Sequence, residues 1–180
     1  MSRSLINSLN FLVLLSLFSC GETQEPEKTY SKAEYKTILE NSNKVKTLRE
    51  EDDIRNYIKR RGWNAEQTGT GVYIVKYETG KSTDSLICPG NAVRVTFTVS
   101  LLDGTLCYST KDAPMGQLEF VVEKADFESG LHEALTHLRK GDKAIILIPS
   151  HRAHGLLGDM EKIPALSTVI YDIQIQEVLK

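Results

Sequence analysis

Ser129-Gly-Leu-His-Glu-Ala-Leu-Thr-His-Leu-Arg-Lys-Gly-Asp-Lys-Ala-Ile-Ile-Leu-Ile-Pro-Ser150, continued by His151-Arg-Ala-His-Gly155, decides the fold of this chain. Leu131, Leu135 and Leu138 stand at i, i+4 and i+7, so they share one face of a short helix that must press on apolar matter. Gly141 stops that helix. Lys143–Ile148 follows as an apolar, largely β-branched run with no polar helical face, which predicts a strand buried on both sides or curled over the helix. Pro149 ends the strand.

Beyond this stretch, a long loop is expected over residues 150–164 and a last strand over 168–178. Upstream, residues 72–77 form a β-rich run bounded by Gly69, Gly71 and Gly80. Residues 79–91 read as loop, with Pro89-Gly90 as the turn before a strand at 93–102. In that strand Val93, Val95, Phe97, Val99 and Leu101 alternate with polar or small residues, so one face is core. Asp103-Gly104 signals a hairpin, residues 105–109 return as its partner, and 118–122 is a further strand. The expected fold class is α+β: a strongly bent antiparallel sheet wrapped on one short helix, preceded by an N-terminal helical segment.

In that N-terminal segment Tyr35, Ile38, Val45 and Leu48 keep a helical phase, as do Ile54, Tyr57 and Ile58. The polar run Glu50-Glu51-Asp52-Asp53 joins the two stripes, which predicts two helices or one bent helix. The acids in the first turn of the second stripe and Lys59-Arg60-Arg61 in its last turn match the helix dipole. The stripe has two uses, packing on the globular part or pairing with another chain.

Arg3 precedes an apolar segment, residues 11–18, in which only Ser16 is polar. This is the layout of an export signal and is too short for a good membrane span. Leu17-Phe18-Ser19-Cys20 reads as a lipobox that makes Cys20 the acylated first residue; the plainer alternative is an ordinary secretory signal with Cys20 incidental. The expected organisation is a leader at 1–19, a polar tether at 20–30, a helical segment at 31–62 and a globular domain at 68–180. The expected location is extracytoplasmic, lipid-anchored to the cell envelope, on the periplasmic or surface face of an outer membrane. With 22 basic against 24 acidic residues and no basic stripe interleaved with aromatics, nucleic acid is excluded as a partner. Cys88 and Cys107 are left in an oxidising compartment, where a disulfide is allowed but not fixed by spacing.

Six pieces in order carry a resemblance across about residues 68–180: Val93-x-Val-x-Phe97 to the Asp103-Gly104 hairpin, the Leu118-x-Phe120 strand, the Gly130-Leu131-x-Glu-Ala-Leu helix, Gly141-Asp-Lys-Ala into Ile148-Pro-Ser, Ala153-His-Gly155, and Ile163-Pro164 with Val169-Ile-Tyr-Asp-Ile173. Together they resemble the FKBP-type peptidyl-prolyl cis-trans isomerases. The lipobox and the Tyr108-Ser109 pair are also similar to the FKBP-type lipoproteins associated with bacterial gliding motility. The resemblance implies isomerisation of X-Pro bonds, chemistry that needs no nucleophile, metal or cofactor. It further implies proline-containing segments of exported proteins as partners, and a membrane reached through the lipid.

Carried over by position, the resemblance places catalytic roles on Phe97, Tyr108, Phe120, His154 and Tyr171, and substrate contacts on Cys107, Leu118, Phe127, Glu128, Leu131 and Ile163. Four positions depart from the family pattern. Cys107 stands for a phenylalanine, Tyr108 for an aspartate, Leu131 for the tryptophan floor, and His154 for the tyrosine that donates to the ligand carbonyl. His154 has ring N–H groups for that role, and the Tyr108 hydroxyl is a polar substitute. For Phe97, Phe120 and Tyr171 the plain alternative is core packing, and for Cys107 a small buried hydrophobe. These departures leave a second functional class open, a peptide-binding or chaperone module with the same bowl and little turnover. A third class is a structural subunit of a surface machine docking through residues 35–48.

The four histidines support no hydrolytic or metal centre. His132 and His137 are five apart, which sets them about 140° from each other on a helix. His151 and His154 lie in a loop with no cysteine or carboxylate at ligand spacing except Asp159. Ser109 and Ser150 lack the Gly-x-Ser-x-Gly context of acyl transfer.

Overall fold

The computed structural model describes residues 30–113 and 115–179. The leader, Cys20 and the tether up to residue 29 lie outside the described residues. Seven strands make one antiparallel sheet: β1 (Glu66–Gln67), β2 (Tyr73–Glu78), β3 (Ala92–Leu101), β4 (Leu106–Ser109), β5 (Leu118–Val121), β6 (Lys143–Ile148) and β7 (Val169–Leu179). Their order is β1-β2-β6-β7-β3-β4, with β5 paired to β3. Among the described residues two α-helices accompany them, α1 (Lys32–Arg60) and α2 (Ser129–Leu135).

Contacts divide the chain into two units, Met1–Glu40 and Asn41–Lys180, with the boundary inside α1. In the first unit the described residues open α1. Ser31 and Glu34 make a reciprocal cap, with the Ser31 backbone N–H donating to Glu34 Oε2 (2.9 Å) and the Glu34 N–H to Ser31 Oγ (3.3 Å). Tyr35 and Ile38 are exposed.

In the second unit the ten residues of β3 organise the sheet. Along one edge β3 takes two partners end to end, β5 at its start and β4 at its close, while β7 follows the other edge throughout. A register shift between Arg94 and Val95 bends this pair. The alternation read in the sequence puts Val93, Val95 and Val99 in the core.

The leucine stripe of α2 behaves as its spacing dictates. Leu131, Leu135 and Leu138 are fully buried in one cluster with Ile146 and Ile148. The helix itself ends at Leu135, and tight turns carry the chain through Leu138, whose N–H donates to the Leu135 carbonyl. Gly130 lets the helix approach β6, since a Cβ there would stand 2.4 Å from Ile148 Cγ2.

The opposite face of the sheet is covered by α1. Ile54, Tyr57 and Ile58 pack there with Tyr73, Val75, Leu147 and Ile170. Alternate residues of β6 therefore enter different cores, Ala144, Ile146 and Ile148 on the α2 side and Leu147 on the α1 side. This is why the run carries no polar face.

Of the two expected arrangements, α1 is the single helix. The acidic run leaves it intact because its carboxylates have partners: Glu51 pairs with Arg55 one turn on (2.5 Å), and Glu50 turns onto the sheet. Glu50 accepts three hydrogen bonds of 2.7 Å, from the Ser150 N–H, the Ser150 hydroxyl and the Thr168 hydroxyl. Val45 and Leu48, on the other stripe, are exposed. Strand β1, two polar residues long, has no counterpart in the sequence reading. Cys88 is exposed, Cys107 is buried, and both thiols are free.

Glu50→Ala removes the acceptor for two buried hydroxyls and a backbone N–H. The expected loss is about 2–3 kcal/mol of stability, with a smaller loss for Glu50→Gln. Urea unfolding at constant m-value measures it, and an unshifted midpoint for the alanine variant contradicts the latch.

Candidate active site

A cleft of about 690 Å³ opens between the outer part of β3, the end of β4, the segment leading into α2 and the loop after β6. Its wall is aromatic because of strand register. Val99 of β3 faces Tyr171 of β7, so Phe97, two residues back, is the diagonal neighbour of Tyr171 on the same face. Their rings meet edge-on with centroids 5.3 Å apart. Phe127, just before α2, meets Phe97 edge-on at 6.3 Å, and Phe120 supports Phe127 from behind at 4.6 Å. The Thr110 hydroxyl fixes the turn below this wall, accepting from the Phe97 N–H (3.1 Å) and donating to the Phe97 carbonyl (3.3 Å).

Two carboxylates hold the polar side. Glu128 is the residue at the start of α2, yet its side chain caps no helical N–H. It is turned inward instead, with only 6% of the side chain exposed, and accepts the Tyr171 phenol on both oxygens (2.9 and 2.8 Å). His154 Nε2 lies 2.8 Å from Glu128 Oε1. Burial, then the Glu128 charge, pushes the Tyr171 phenol far above its usual range and keeps it a donor.

Asp159 organises the loop that carries His154. Its Oδ1 accepts the N–H groups of Glu161 (2.9 Å), Lys162 (2.9 Å) and Ile163 (2.7 Å), and its Oδ2 accepts the Tyr108 hydroxyl. Burial raises the Asp159 carboxyl, but the Tyr108 hydroxyl and the three backbone donors outweigh it and hold the group at about 2. The Lys162 ammonium sits over the Tyr108 ring, 4.9 Å from its centroid.

Of the residues expected from the sequence, Phe97, Tyr108, Leu118, Phe127, Glu128, His154 and Tyr171 line the cleft. Cys107, Phe120, Leu131 and Ile163 are instead buried in the core behind it. Strand alternation explains Cys107, which points away from the face that Tyr108 presents, its Sγ 3.6 Å from the Lys162 carbonyl. Leu131 belongs to the α2 stripe, fully buried. Asp126 and Asp159 line the cleft as well and were not among the expected site residues. The signal for Asp159 was local: an aspartate after Gly158, ahead of backbone N–H groups its short side chain reaches. The carboxylate expected at position 108 thus arrives from the loop, bonded to the tyrosine that replaces it.

The histidines on and after α2 serve the fold. His132 accepts the Glu123 N–H at Nδ1 (3.0 Å) and meets the Ala125 carbonyl at Nε2 (3.1 Å), and so pins the turn before α2. His137 pairs with Glu66 (3.4 Å). A second cleft, about 710 Å³, runs between the α1 segment around Glu50 and the loops near Leu102 and Leu166; the aromatic wall is not part of it.

The family model described as FKBP-type peptidyl-prolyl cis-trans isomerase matches residues 84–176, just over half of the chain and the segment that builds the cleft. Among curated proteins, the FKBP-type 22 kDa peptidyl-prolyl cis-trans isomerase of Escherichia coli (strain K12) is 29% identical over 121 residues. That match takes in 67% of this chain and 55% of the relative, so the chain spans about half the length of the curated relative. Among solved structures, a peptidyl-prolyl cis-trans isomerase from Pseudomonas syringae pv. tomato aligns with a TM-score of 0.63 at 18% identity, covering 76% of this chain and 96% of that one. FkpA from Escherichia coli aligns with a TM-score of 0.62 at 19% identity, covering 98% of this chain and 81% of that one. At these identities the structures speak to the fold.

Tyr108→Phe removes one of the donors that depress Asp159. The carboxyl is expected to rise from about 2 toward its ordinary value of 3.8, with the three backbone donors retaining part of the shift. A depressed carboxylate stabilises the fold in full above its unfolded value and ceases to do so as pH falls through the folded one. The variant should therefore lose loop stabilisation at a higher pH than the parent. An NMR titration of the Asp159 side-chain carbon reads the shift directly, and identical titrations contradict the bond.

Proposed function

Because this chain belongs to the FKBP-type peptidyl-prolyl cis-trans isomerase family, we propose that its aromatic cleft accelerates rotation about X-Pro bonds in exported proteins, from a lipid anchor at Cys20 in the cell envelope, on the periplasmic or surface face of an outer membrane. The observation that carries the reading is the wall of Phe97, Phe127 and Tyr171 facing one open cleft. A planar amide is held by resonance and crosses a barrier of about 18–20 kcal/mol to rotate. Resonance separates charge, and the twisted amide loses that separation. An apolar wall that displaces water favours the twisted form over the planar one, which is binding of the transition state in preference to the ground state. No group needs to exchange a proton or form a bond. The export signal and lipobox support the location; among the described residues no helix is long and apolar enough to cross a membrane.

One observation favours the second reading, a binding or chaperone module. Both polar groups expected to hold the substrate carbonyls are already engaged, the Tyr108 hydroxyl by Asp159 and His154 Nε2 by Glu128. A phenol has one proton, so Tyr108 cannot donate to Asp159 and to a ligand together. The rate of the purified protein on an X-Pro peptide separates the two readings. In a protease-free assay the expected result is a clear increase over background that falls roughly tenfold or more in Phe97→Ala and Tyr171→Ala, both still folded by circular dichroism. A background rate from the folded parent, with peptide still bound, selects the binding module.

A further inference from the structure

The cleft that would take the prolyl segment is acidic as well as aromatic. Asp126, Glu128 and Asp159 line it, His154 is its one basic side chain, and neither lysine nor arginine is among its lining residues. Whether His154 is neutral or protonated, three carboxylates against one imidazole leave the lining negative. Arg152, next to the lining residue Ala153, is paired with Glu133, its Nη2 on Oε2 at 2.9 Å. Lys162 lies over Tyr108 at the rim.

The carboxylates differ in what they still offer. Asp159 is consumed by Tyr108 and three backbone donors. Glu128 keeps acceptor capacity, since a carboxylate has about four lone-pair sites and its neighbours are two groups, Tyr171 and His154. Asp126 is exposed and, among the described residues, makes no hydrogen bond or ion pair. Beside these acids, Phe127 and Tyr108 line the same space, Tyr108 with the Lys162 ammonium over its ring, and aromatic faces attract cations. A wall of π-faces beside carboxylates matches the chemistry of a lysine or arginine side chain, whose stem packs on the rings while its head meets the acids.

We propose that this cleft selects prolyl segments carrying lysine or arginine next to the proline, with Glu128 and Asp126 as the specificity-determining residues. The inference rests on the reading of the cleft as the prolyl-peptide site and names the class of segment it takes. A cationic neighbour gains attraction from both carboxylates, and an acidic one meets repulsion. The attraction is partly exposed to solvent and therefore sensitive to salt.

The test is a matched series of short peptides with Lys-Pro, Leu-Pro and Glu-Pro at the centre, assayed with the full chain for kcat/KM and, by fluorescence anisotropy, for affinity. Lys-Pro is expected to exceed Glu-Pro by about tenfold at low ionic strength, Leu-Pro falling between, and the ratio should shrink several-fold in about 0.5 M salt. Asp126→Asn, at an exposed position, and Glu128→Gln, which keeps an acceptor for the Tyr171 phenol, should each lower the Lys-to-Glu ratio. A purely structural effect of either variant would instead depress all three peptides alike. If Glu128→Gln fails to fold, Asp126→Asn decides. A ratio of one or less in the parent, or one that neither variant moves, overturns the proposal while leaving the cleft as a prolyl site. Failure of the folded protein to bind or turn over any peptide of the series overturns both.

Discussion

A strand with apolar side chains buried on both faces needs cover on two sides. In this chain β6 is that strand, with Ile146 and Ile148 against α2 and Leu147 among the α1 residues Ile54, Tyr57 and Ile58. A sheet with one short helix would leave Tyr73, Val75, Leu147 and Ile170 facing water, a patch that soluble proteins rarely leave uncovered. The C-terminal half of α1 is therefore part of the sheet domain. Glu50 marks where that cover meets the loops, since its carboxylate ties the helix to both ends of the segment joining β6 to β7.

That joining segment also carries the chemistry. His154 and Asp159 lie on it, and each is fixed by a partner on another element, Glu128 before α2 and Tyr108 on β4. The cleft thus has aromatic residues placed by strand register and polar residues placed by a side-chain hydrogen bond and an ion pair across loops. The first arrangement follows from a period of two. The second depends on contacts between residues 26 to 51 positions apart, as with Glu128 to His154 and Tyr108 to Asp159.

This division explains what the sequence made legible. The Leu131, Leu135, Leu138 stripe and the alternation of β3 are periodic, and periodic burial is visible without a structure. Phe97 and Tyr171 could be placed on one face for the same reason. The acidic run at residues 50–53 looked like a break or a bend in α1 because a helix interior seldom needs four acids in a row. Its actual use, a carboxylate reaching residues 100 and 118 positions away, leaves no local trace. Cys107 and Tyr108 were assigned together to the cleft, although neighbours on a strand face opposite ways. Asp159 was legible as a loop aspartate but not as the carboxylate that meets Tyr108, because its position depends on how the loop folds back.

The close approach of α2 to β6 at Gly130 bears on how this sequence drifts. Most surface positions accept neutral exchange, and even buried leucines have near-isosteric replacements. Gly130 has none, because any Cβ would meet Ile148 Cγ2 at 2.4 Å and the Arg152 carbonyl at 3.2 Å. The contacted atoms belong to the strand core and to the backbone beside His154, so relief would move the cleft. Descendants of this chain are free to vary much of its exposed surface, but they inherit Gly130 as a fixed point, as they do Gly80 and Gly158, where a Cβ would meet backbone oxygens at 1.8 and 2.1 Å.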